Sequence, residues 1–106
     1  MEKLKLSKPF LLDGNNVTEI EFDLEEITGV SISNAYRNVT ADRHVITMQE
    51  SDPVLHAAIF AEAANMDYGD VKRLPAKDFM LVGRFVRNFL YSVSAAPQAT
   101  ETSEES

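Results

Sequence analysis

Residues 3–12, KLKLSKPFLL, and residues 17–24, VTEIEFDL, decide the fold. Side chains alternate between the two faces of an extended strand, so the first stretch places Leu4, Leu6, Phe10 and Leu12 on one side, with Lys8 the exception there. The second places Thr18, Ile20, Phe22 and Leu24 on one face and Glu19, Glu21 and Asp23 on the other. Between them Asp13-Gly14-Asn15-Asn16 tolerates the positive φ angles of a tight reversal, and the two stretches read as a hairpin. Parity restricts the register: the apolar faces coincide only when an odd number of residues, three or five, is left unpaired. Either choice sets Lys5 opposite Asp23 or Glu25, a pair worth ~0.2–1 kcal/mol that selects register more than it stabilises. A two-stranded hairpin is marginal alone in water, so the rest of the chain must cover it.

Beyond the hairpin the pattern turns helical. From Asp23, a candidate N-cap, Leu24, Ile27, Ile32, Ala35, Tyr36 and Val39 recur near helical spacing to about Asp42, with Gly29, Ser31 and Ser33 favouring a later start near Ser31. Residues 43–51, RHVITMQES, read as a connection. Asp52-Pro53 is a strong helix start, because proline at the first helical position loses no hydrogen bond and the aspartate caps. The helix it opens, to about Asn65, is apolar almost all round and is therefore expected at the centre. Tyr68-Gly69-Asp70 marks a break and a short turn through Val71. A last helix runs from near Pro75 to about Val93, with Leu81, Val82, Phe85, Val86, Phe89, Leu90 and Val93 on one broad face. The expected fold is α+β, an N-terminal β-hairpin packed on a small bundle of about three helices. Residues 1–94 form the single domain and 95–106, which lack large apolar side chains, a disordered acidic tail.

The 106 residues are 44% apolar and 25% charged, the balance of one globular domain. No apolar run approaches the ~18 residues that cross a bilayer, and MEKLKLSKPF lacks the apolar stretch of a signal peptide. The expectation is a cytoplasmic protein without a membrane partner. With no cysteine, no disulfide or thiolate chemistry is available. The formal charge of −7, three units of it from Glu101, Glu104 and Glu105, speaks against nucleic acid as a partner. Residues 13–26 carry six carboxylates and no base, whereas residues 72–87 carry Lys72, Arg73, Lys77, Arg84 and Arg87 against Asp78. Such a dipolar domain steers a charged protein partner.

Little in the chain points to catalysis. His44 and His56 share no metal-ligand spacing, so His56 reads as a partly buried packing residue and His44 as a loop residue. No nucleophile elbow surrounds a serine, and the four glycines are scattered singly, which assembles no phosphate loop. The carboxylates at 19–26 fit a solvated strand face better than an acid/base pair. A small enzyme would need polar groups converging in a pocket, with His56 and Glu62 as the candidates.

Two surfaces point to protein binding instead. On the last helix Met80, Arg84, Arg87 and Tyr91 follow the spacing i, i+4, i+7, i+11 on the side away from the apolar face, and these residue types are enriched at interfaces. The alternative is an ordinary amphipathic helix whose exposed side carries some large residues. The hairpin has an edge able to add a strand from a neighbour, or one that Lys3, Lys5 and Pro9 protect against such pairing.

The order of features is a Lys8-Pro9 strand, an Asp13-Gly14 reversal, a second acidic strand, then helices carrying Asp70-Val71, Leu74, Asp78-Phe79 and Phe85. Over roughly residues 4–91 this resembles the short tail assembly chaperones of long-tailed phages, including Mu-like and P2-like phages. The chain departs from that pattern after the hairpin, where a proline-threonine helix start is common and Glu26-Ile27-Thr28-Gly29 stands instead. The resemblance implies binding to the tape measure protein, assistance to assembly of the tail tube protein, host cytoplasm, and no cofactor or reaction. It also implies a longer partner product made by frameshifting, for which 95–106 is a suitable place. Homo-oligomerisation is left open. The competing expectation is a small acidic adaptor or regulatory protein that binds one folded partner.

Overall fold

Asp13 and Gly14 reverse the chain, both at positive φ, 51° and 81°. That combination belongs to the type I′ turn, whose twist matches the strands it joins. The computed structural model describes residues 2–49 and 51–95. In it β1 (Glu2–Leu12) and β2 (Asn15–Phe22) form a two-stranded antiparallel sheet.

The register departs from the expected one. Leu12 faces Asn15, so only Asp13 and Gly14 are unpaired at the tip rather than three or five residues. Parity is restored further down. Phe10 faces Val17 while Lys5 faces Glu19, which leaves residues 6–9 of β1 opposite Thr18 alone. Such an odd excess on one strand flips the partner's faces once. Val17 therefore joins Ile20 and Phe22 on the covered side and Thr18 is exposed. Lys5 meets Glu19 instead of Asp23 or Glu25, and Lys3 pairs with the same Glu19 at 3.4 Å. On β1 the expected face holds: Leu4 and Phe10 are buried, Leu6 and Leu12 half-buried, Lys8 exposed.

Asp23 does cap, but only a single 3-10 turn, Leu24–Glu26, whose Glu25 amide it accepts at 3.1 Å. Helix α1 (Gly29–Ala41) starts between the two expected points, after Thr28, whose amide donates to Ser31 Oγ at 3.1 Å. Helix α2 (Pro53–Ala64) starts as expected, with the Asp52 carboxylate accepting from the Val54 and Leu55 amides. It ends at Asn65, which takes the left-handed conformation that stops helices. The expected turn through Val71 is a short helix, α3 (Tyr68–Lys72), with Val71 as its buried anchor. Helix α4 spans Ala76–Ala95. The tail expected at 95–106 lies, from residue 96 on, outside the described residues.

The architecture is α+β, a hairpin on three longer helices and one short one. Helix α2 is its centre: residues 55–61 and Ala63 are buried, and it touches α1, α3, α4 and β2. Phe22 joins the layers, its ring 4.9 Å from that of Phe60 on α2 and 5.1 Å from that of Phe85 on α4. Tilted aromatic pairs of this kind add ~0.5–1.5 kcal/mol beyond the area they bury. No helix of the described residues is long and apolar enough to cross a membrane.

Candidate protein-binding surface

The inner face of α4 is fixed to the hairpin through a buried carboxylate. Asp78, Val82 and Val86, spaced i, i+4, i+8, are all almost wholly buried. Asp78 Oδ1 and Oδ2 accept from the Ser7 amide at 3.1 and 3.2 Å, and Oδ2 also accepts from the Ser7 hydroxyl at 2.9 Å. Ser7 lies in the irregular 6–9 segment of β1, where the ladder with β2 is interrupted. With no β2 residue opposite it, the Ser7 amide finds its acceptor in Asp78, and the buried carboxylate finds the donors that offset its burial. Its place in the first turn of α4 also suits a negative charge, since the helix dipole is positive there. Further along β1, Arg73 Nη2 donates to the Leu11 carbonyl at 3.3 Å. The same guanidinium is held by Asp70 and lies 4.9 Å from the Phe10 ring centroid.

The outer face of α4 carries Met80, Arg84, Arg87 and Tyr91, all exposed, Met80 at 71% and Tyr91 at 51%. At 1.5 Å per residue the row extends over ~16 Å. The structure thus brings together all four residues singled out in the sequence. Neither arginine forms an ion pair with a described residue. Val93, expected on the apolar face, is 58% exposed, because the helix there has run past the core it covers.

Beside this row lies a depression of about 270 Å³ that sequence reasoning missed. Phe79 and Gly83 belong to α4, and Ser51, Pro53 and His56 form the opposite wall. Its only trace in the sequence is that His56 follows Asp52-Pro53 by one helical turn.

Of this wall Ser51 comes from the connection between α1 and α2, while Pro53 and His56 belong to α2 itself, and the two histidines fasten the connection. His56 is buried and donates from Nε2 to the Gln49 carbonyl at 2.9 Å, while Gln49 Oε1 accepts from the Tyr36 hydroxyl at 2.6 Å. His44 Nε2 donates to Asp52 Oδ2 at 2.6 Å. Burial acts to raise the Asp52 carboxyl, but the hydrogen bonds from His44 and from the Leu55 and Val54 amides outweigh it and hold the group below its ordinary value. The connection leaves Val45 and Met48 exposed. At the end of α1, hydrogen bonds from Lys72 and then Tyr68 lower the Asp42 carboxyl, while burial and the bond to Asp42 raise the Tyr68 hydroxyl.

His56 and Glu62, the candidates for a converging polar pocket, line different depressions: Glu62 belongs to a cleft between β2 and the end of α2. Among the described residues no three His, Cys, Asp or Glu side chains are grouped to hold a metal ion. Comparisons with protein-family models, with curated proteins and with solved structures found no match.

Proposed function

We propose that this chain is a tail assembly chaperone of the kind found in long-tailed phages, binding the tape measure protein and promoting assembly of the tail tube in the host cytoplasm without a cofactor or a reaction. The observation that carries the reading is the outer face of α4. Met80, Arg84, Arg87 and Tyr91 stand exposed in one row on a helix whose other face is pinned by Asp78, Val82 and Val86. The helix backbone beneath the row is held by the packed inner face, so the spacing of the four side chains is set before binding, and arginines without intramolecular ion pairs keep their donors for a partner. The order of features behind the family resemblance also supports it. Lys8-Pro9 lies in β1, Asp13-Gly14 forms the turn, Asp70-Val71 lies in α3, and Asp78-Phe79 and Phe85 lie in α4.

The test is co-expression of the tape measure protein with and without this chain, scoring its soluble fraction. A marked rise with the chain present is expected. An unchanged soluble fraction contradicts the reading and favours a small acidic adaptor that uses the same row on one folded partner.

A further inference from the structure

The two edges of the hairpin are treated differently by the rest of the molecule. Two backbone groups of β1 are taken by the helical part of the molecule: the Ser7 amide by Asp78 and the Leu11 carbonyl by Arg73. On the other edge β2 has no strand neighbour, and no described residue hydrogen-bonds to the backbone of residues 16–22 beyond the pairing with β1. Alongside lies an open cleft of about 630 Å³, walled on one side by Glu19, Ile20 and Glu21 and on the other by the end of α2. Consecutive strand residues point to opposite faces. When all three line one cleft, it runs along the strand's edge. The Asp23 amide, donating to the Ala63 carbonyl at 3.0 Å, closes one end.

The charge of the cleft selects its occupant. Asp13, Glu19, Glu21, Glu62, Asp67 and Asp70 line it and no basic residue does. Lys3 pairs with Glu19 and Arg73 with Asp70. The other four carboxylates form no ion pair with a described residue. We infer that the free edge of β2 accepts an extended, lysine- or arginine-rich polypeptide segment as a third strand. Backbone hydrogen bonds hold the segment in place, and its basic side chains face the carboxylates of the cleft. This inference does not depend on the role proposed for α4.

The probe is a synthetic peptide of alternating lysine and valine, eight residues long like β2, titrated into the full chain and followed by amide NMR shifts and hydrogen exchange. Shifts are expected at Glu19, Ile20 and Glu21, with added protection at Glu19 and Glu21, whose amides alternate along the strand with that of Asp23 in pointing away from β1. A peptide with glutamate in place of lysine, and one with alternate backbone amides methylated, are each expected to bind at least about tenfold more weakly. The double variant Glu21→Lys and Asp67→Lys, whose side chains are exposed and unpaired, is expected to lose affinity to the same extent. Equal binding by the methylated peptide overturns the added strand, and equal binding by the glutamate peptide overturns the charge selection. Perturbation confined to α4, or no binding at all, overturns the whole.

Discussion

Helices α2 and α4 are both rich in apolar residues, yet they stand in opposite relations to solvent. The alanines of α2 let α1, the hairpin and α4 approach closely, so nearly every residue from Leu55 to Ala63 is covered. On α4 one face reaches Asp78, Val82 and Val86 while the other leaves Met80 and Tyr91 in water. A helix covered on all sides has no surface to offer a partner. One covered on a single side holds the fold with that face and presents the other.

The contrast is broken most readily at α2. Phe60→Ala removes a wholly buried ring in contact with Phe22 and is expected to lower the unfolding free energy by ~3–5 kcal/mol. Urea denaturation reads this directly, and a loss below about 1 kcal/mol would show that α2 is not the centre. Next is the inner face of α4. Asp78→Ala leaves the Ser7 amide without its acceptor and is expected to cost ~1–3 kcal/mol, with faster hydrogen exchange at Ser7. Ser7→Ala removes only the hydroxyl donor to the same carboxylate, so combined with Asp78→Ala the two losses should be less than additive. Full additivity would mean that the hydroxyl bond contributes nothing, and unchanged exchange at Ser7 that the amide does not lean on Asp78.

A smaller effect depends on pH. The Asp52 carboxyl lies below its ordinary value of 3.8 in the folded chain, so its contribution is fully present above about that pH and is lost as pH falls through the folded value. Wild type should exceed Asp52→Asn in stability near neutral pH, by no more than the ~0.5–2 kcal/mol of a helix cap. The gap should close on acidification below 3.8, and a gap that widens there contradicts the His44–Asp52 contact as described.

Asp52 and Asp78 also show what the sequence discloses. Asp52 was legible because its partners, the Val54 and Leu55 amides, lie two and three residues away. Asp78 was not, because its partner Ser7 is 71 residues distant. The only hint was that it shares a helix face with Val82 and Val86. The hairpin register failed for a related reason. Asp13-Gly14 alone forms the turn, and the odd residues that parity required sit in the irregular segment opposite Thr18. The row on α4 was legible because helical spacing alone sets it. The course of the connection between α1 and α2 was not, since it depends on side-chain contacts to Tyr36, Asp52 and His56.

The smallest expected effect on stability, and the most direct test of function, is the double change Arg84→Glu and Arg87→Glu. Both side chains are exposed and outside any ion pair with a described residue, so the unfolding free energy should stay within about 0.5 kcal/mol of wild type. Affinity for the tape measure protein, the partner proposed above, measured by titration of the purified chain, should fall at least about tenfold. Undiminished affinity with the fold intact would contradict the claim that the outer face of α4 is where this protein acts.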